Sequence, residues 1–186
     1  MYPVVIEGER VWLREFDRGD AHAVQQWTGD DDVVRFVPLD RTDDQSVVSY
    51  LAGLIAESGA AEREGYTLAI VERSSGEVVG AVALTIDSRR HRRGEVGYLL
   101  RRDRWGHGLA SEAARLVVDF GFSDLGLHRV WAVCDPVNEA SIRVLTKLGM
   151  RREGLLRDDL LIDGRWRDSE LFAVLAGDWS SSSVYL

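Results

Sequence analysis

Apolar and polar positions along the chain change period several times, and each change marks an element. Residues 9–14 alternate, with Val11 and Leu13 on one side, and predict a first strand. Asp17 and Asp20 stand where they can cap a helix over residues 21–27. Residues 28–44 are polar, contain three successive aspartates after Gly29 and a proline at 38, and read as a loop. Val47, Val48, Leu51, Leu54 and Ile55 recur at helical spacing and predict a second helix over 44–57. Strands are predicted at 66–72 and 78–86, joined by a tight hairpin at Ser74 to Glu77.

A further strand, 94–100, runs into a loop with Gly106 and Gly108, and a helix opens at about Leu109. Its stripe is Ala110, Ala113, Ala114, Val117, Val118 and Gly121, and Glu112 pairs with Arg115 on the other side. A buried-type strand at 128–134 and a short helix at 139–148, stopped by Gly149, follow. Two long strands, 151–162 and 165–175, close the pattern, with Asp163-Gly164 as their hairpin turn. The order predicts an α/β (α+β) fold: one mixed sheet with helices on both faces. Residues 1–179 form the single domain, and the serine-rich end, 180–186, is expected to be a disordered tail.

Composition narrows the function. At 186 residues and 45% hydrophobic, the chain can bury a core. The net charge of −8 argues against a nucleic-acid partner. No apolar run approaches the roughly 20 residues that span a bilayer, and the N-terminus lacks signal-peptide features. A single cysteine, Cys134, fits a reducing, cytoplasmic setting. The four histidines show no ligand spacing, so no metal is expected.

Chemistry concentrates in residues 95–122. A strand, a glycine turn and a helix N-terminus form an anion site, because bare N–H groups point outward and the helix dipole adds positive potential. A dinucleotide fingerprint fits poorly, since Ser111 takes the last glycine position and the turn follows a late strand. No Gly-Lys-Ser/Thr follows, which excludes a Walker loop.

The run Trp105-Gly106-His107-Gly108-Leu109-Ala110 resembles the acyl-CoA pyrophosphate loop of the GNAT superfamily of N-acetyltransferases. Gly94 to Tyr98 resembles that family's fourth strand. Asn138-Glu139-Ala140-Ser141 and Lys147-Leu148-Gly149-Met150 resemble its later segments. The opening Glu9 to Arg14, with Asp17 and Asp20, and the hairpin Leu161 to Asp168 are similar to the RimJ/RimL branch, whose first-described members acetylate ribosomal-protein N-termini. The resemblance implies a mostly antiparallel sheet of about seven strands, splayed between strands 4 and 5. It also implies acetyl-CoA as co-substrate, a primary amine as acceptor (a protein N-terminus or a small molecule) and often a homodimer.

By the same resemblance, Tyr98, Leu99, Leu100 and Arg101 pair with the pantetheine arm. The N–H groups of Gly106, His107, Gly108, Leu109 and Ala110 take the pyrophosphate. Arg101, Arg102 and Arg104 either contact phosphate or form a solvated basic face. Trp105 replaces the family's Gln or Arg, and Lys147 completes the cofactor segment. Asn138 is either a pantetheine ligand or a helix cap, and Ser141 either a donor to the leaving thiolate or a small helix residue. Leu145 stands where many members carry a tyrosine beside the sulfur. Glu95, set in an apolar strand, is the candidate general base, with an exposed position or an arginine pair as the alternative. Leu145 also motivates a competing reading, a catalytically silent CoA-binding module; a third keeps the fold but moves another acyl group, such as succinyl.

Overall fold

The structure is a computed structural model that describes residues 2–37, 44–162 and 164–179. Eight strands form one sheet in the order β1-β2-β3-β4-β5-β6-β8-β7. They are β1 (Val5–Glu7), β2 (Val11–Glu15), β3 (Gly65–Glu72), β4 (Val78–Ser88), β5 (Arg93–Leu100), β6 (Arg129–Cys134), β7 (Arg151–Ile162) and β8 (Arg165–Leu175). Every neighbouring pair is antiparallel except β5 with β6. The helices are α1 (Ala21–Thr28), α2 (Asp31–Val34), α3 (Asp44–Ser58), α4 (Leu109–Ser123) and α5 (Glu139–Lys147).

Two cores lie on the two faces. On one, Leu68, Ile70, Val82, Leu84 and Val130 pack against α4 and α5 through Ala113, Val117 and Leu145. On the other, Ala69, Val71 and Ala81 pack against α1 and α3 through Val24, Trp27, Val47 and Leu51. Strict alternation along β3 serves both cores, which is why that strand reads as a nearly continuous apolar run. Gly121 lets α4 approach the sheet: a Cβ there would sit 2.8 Å from Leu84 Cδ2.

Three expectations are corrected. The sheet has eight strands, because Val5–Glu7 adds an edge strand to β2; the splay falls between the two strands expected, which are now numbered β5 and β6. The stretch read as loop holds α2, whose N-cap Asp30 accepts a hydrogen bond from the Asp32 N–H. Glu112 does not pair with Arg115. It is 7% exposed and faces the start of β2. Its Oε1 accepts from the N–H of Arg10 at 2.7 Å and of Val11 at 3.3 Å, and its Oε2 accepts from Arg10 Nε at 2.8 Å. Arg115 lies instead over the Trp179 ring. Asp163 of the expected hairpin turn, Pro38 and the expected tail at 180–186 lie outside the described residues.

The Arg10–Glu112 contact ties the first turn of α4 to β2, and Arg10 Nη1 also donates to the His107 carbonyl at 2.8 Å. Removing the carboxylate orphans two backbone donors as well as the guanidinium. Glu112→Ala should therefore lower unfolding free energy by about 2–3 kcal/mol in urea titrations. A loss below about 0.5 kcal/mol would mean the carboxylate does not fasten this turn.

Candidate active site

β5 and β6 pair only from Arg93↔Arg129 to Glu95↔Trp131. Past that level β6 keeps β8 as its partner, and residues 96–100 of β5 keep β4. The halves of the sheet part there, and a cleft of about 550 Å³ opens between them. Glu95 to Leu100 form one wall, and Ala132 to Asp135 with α5 form the other.

The glycine turn closes one end. Gly106 and Gly108 adopt φ of 80° and 75°, a left-handed conformation that costs other residues about 1–2 kcal/mol. Gly108 is the N-cap of α4 and offers no side-chain cap. Among the described residues, the N–H groups of 106–111 have no hydrogen-bond acceptor; the first helical bond is Glu112 N–H to the Gly108 carbonyl, at 3.1 Å. Gly106, Gly108, Leu109, Ala110 and Ser111 line the cleft. Free donors at a helix N-terminus form a cradle suited to a diphosphate. His107 does not line the cleft; its carbonyl is held by Arg10.

The basic residues beside this turn are already engaged. Arg101 is absent from the cleft wall and bonds Asp103, Glu77 and Gln26. Arg102 pairs with Asp32. Arg104 lines the cleft, yet its guanidinium reaches Glu72, Glu77 and Asp103. The Trp105 indole donates to the Leu100 carbonyl at 2.9 Å, which fixes the exit from β5. Lys147 lines the cleft from the end of α5.

Glu95 is half-buried on the cleft wall. Burial raises its pKa first, and the neighbouring charges of Asp87 and Asp159 raise it further. Asp159 comes from a bulge in β7, where residues 157–159 depart from the pairing between Leu156↔Ser169 and Leu160↔Arg167. Asp158 in that bulge has φ of 51°, and its N–H donates to Asp168 Oδ1 at 3.0 Å.

Opposite, Asn138 caps α5: its Oδ1 accepts from the Ser141 N–H at 3.1 Å, so its amide NH₂ is what it can offer a ligand. Ser141 lines the cleft one turn in. Tyr98 bridges the gap, its hydroxyl donating to the Ser141 carbonyl at 3.3 Å. Burial pushes that phenol far up, so it stays protonated. The residue pattern indicated Tyr98 only as backbone; the alternation that sends Val96 and Leu100 to the α4 side also sends its ring there. Leu145 is 1% exposed and carries no polar group toward the gap. Cys134 is buried and its thiol is pushed up to about 11, mainly by desolvation, so it is a poor nucleophile.

A family model described as "Acetyltransferase (GNAT) domain" matches residues 10–151. The chain is 32% identical over 179 residues to the uncharacterized N-acetyltransferase YoaA of Bacillus subtilis, covering 94% of this chain and 98% of that one. A shorter match, 36% identical over 85 residues, links it to the [ribosomal protein uS5]-alanine N-acetyltransferase of Escherichia coli, covering 46% and 44%. The structure of Mycobacterium smegmatis RimJ in complex with CoA-disulfide superposes with a TM-score of 0.85 at 29% identity, covering 95% of this chain and 89% of that one. With these matches and this cleft, the chain belongs to the GNAT acetyltransferase family and is an N-acetyltransferase.

Proposed function

We propose that the protein transfers an acetyl group from acetyl-CoA directly to a primary amine while both substrates are bound. The acceptor is a protein N-terminal α-amine or a small-molecule amine. The observation that carries this reading is one cleft lined both by Gly106 and residues 108–111, whose N–H groups are free, and by the raised-pKa carboxylate Glu95. The CoA held by the RimJ relative supports the ligand, and the uS5-alanine enzyme supports an α-amine acceptor. The single buried cysteine accords with a cytoplasmic enzyme, and a homodimer is the assembly the family resemblance implies.

The glycine turn would hold the pyrophosphate. The unpaired edge of β5 at 96–100 would pair with the pantetheine arm, and the Asn138 NH₂ would add a donor to it. Acetyl transfer forms a C–N bond and breaks a C–S bond, with a proton leaving nitrogen and one reaching sulfur. Glu95, made more basic by burial, accepts the amine proton, directly or through one water. Asp159 adds negative potential that draws a cationic amine inward, whereas the Asp87 charge is held by Arg93 at 2.7 Å. On the sulfur side, Ser141 is the hydroxyl donor, because the single Tyr98 hydroxyl proton is given to the Ser141 carbonyl. Ser141 thereby supplies the donor that Leu145 lacks, which favours an active enzyme over a silent CoA-binding module.

Incubation with acetyl-CoA and a panel of primary amines, including spermidine and alanine-initiated peptides, should release free CoA with at least one of them. No release above background hydrolysis with any amine, despite CoA binding, would favour the silent module. Competition with succinyl-CoA reads the acyl preference.

The pH profile tests Glu95. The carboxylate acts only when ionised, so activity should be lost as pH falls through its folded pKa, which lies above that of an ordinary glutamate. Glu95→Gln should lower kcat by roughly 10²-fold or more and abolish that acid limb, leaving the titration of the amine. A profile that keeps the same limb in Glu95→Gln would remove Glu95 from the reaction.

A further inference from the structure

Ser169 lies in β8, beside the β7 bulge. It is 1% exposed, and its Oγ has no hydrogen-bond partner among the described residues. The same residue lines the cleft that holds Glu95. A buried hydroxyl left unpaired carries a desolvation cost of about 1–3 kcal/mol, so folding alone gives no reason for it. An apolar side chain of similar size would pack there more favourably.

The strand registers fix which side of the sheet it faces. Phe172 and Val174 of β8 pack into the α4 core with Val130 and Ala132 of β6. Alternation then sends Ser169 to the opposite face. On β5, Val96 and Leu100 pack into that α4 core, and alternation sends Glu95 to the same face as Ser169. Thr85, which pairs with Glu95, shares that side with Asp87, and Asp87 acts on the Glu95 carboxylate. Tyr98 and Ser141, by contrast, meet on the α5 side. The cleft is thus two-sided, with the sulfur-side hydroxyls on one face and Ser169 on the face of the base.

The flanking Arg167 and Asp168 each have partners, whereas the Ser169 hydroxyl has none among the described residues. Arg167 donates to the Arg35 carbonyl at 3.1 Å and reaches Asp135 Oδ2 at 3.4 Å. Asp168 accepts from the Asp158 N–H. A hydroxyl can donate once and accept twice, which matches a nitrogen bearing N–H groups or the carbonyl next to it.

We propose that Ser169 is an acceptor-binding residue: its hydroxyl makes a hydrogen bond to the amine-bearing substrate on the Glu95 side of the cleft, and not to the CoA. The inference rests on the acetyltransferase reading and assigns it a specificity contact. Its bond is formed only when the acceptor arrives, so the unliganded protein carries the cost and the ternary complex recovers it.

The test is Ser169→Ala, using whichever amine of the spermidine and alanine-peptide panel the wild type acetylates fastest. Acceptor kcat/KM should fall about five- to tenfold, through KM, while the KM for acetyl-CoA stays within about twofold. The unliganded variant should melt at the same temperature or up to about 3 °C higher, because an unpaired buried hydroxyl has been removed. A residue that merely supports the fold would give the opposite melting shift. Unchanged acceptor kinetics, a rise in the acetyl-CoA KM instead, or a melting loss of more than about 3 °C would each overturn the assignment while leaving the transferase reading standing. If the wild type releases no CoA with any amine of the panel, the transferase reading itself falls, and this inference with it.

Discussion

Backbone hydrogen bonding is the constraint that organises this molecule. Each buried N–H and C=O needs a partner, and sheets and helices meet the need almost everywhere. Among the described residues, two adjoining stretches at the cleft carry backbone groups with no protein partner. The parallel pairing of β5 with β6 stops after Glu95↔Trp131, so one edge of residues 96–100 has no strand beside it. Immediately downstream, the N–H groups of 106–111 point away from any acceptor among the described residues. A ligand with amide groups at one end and a diphosphate at the other satisfies both. The rest of the structure keeps these groups apart and available.

The supports are specific. Trp105 pins the exit of β5 through the Leu100 carbonyl. Arg10 clamps the His107 carbonyl while its own backbone and guanidinium are held by Glu112. Arg101 and Arg104 bond to the β3–β4 hairpin through Glu72 and Glu77, so these cations brace the turn. Backbone dipoles are then the groups the turn leaves free to meet an anion, and they need no reorganisation to do so. Across the gap, Tyr98 links β5 to α5.

Much of this was legible in the residues, and the exceptions share a cause. The ranges Arg151–Ile162 and Arg165–Leu175 followed from long alternation around a turn dipeptide. The glycine turn at Gly106 and Gly108 followed from the need for bare backbone at a helix start, and the structure adds their left-handed φ. Gly149, expected to stop α5, has φ of 78°. What escaped depends on partners remote in sequence. Val5–Glu7 has only three residues and becomes a strand only by pairing with β2. Glu112 lies off the apolar stripe of α4 and is buried because Arg10, 102 residues earlier, comes to meet it. Ser169 sits within a charged run, and only the sheet registers reveal that it is enclosed. Arg101 was open to either a phosphate contact or a solvated face, and the acidic hairpin that engages it is folded in from another part of the chain.

The central claim is that unpaired peptide amides, and not side-chain cations, bind the nucleotide end of the co-substrate. A ¹H–¹⁵N NMR titration with CoA addresses it residue by residue. The account predicts the largest displacements at the amides of 106–111, accompanied by smaller ones along 96–100. Saturable binding that leaves the 106–111 amides in place while shifting other signals would contradict it.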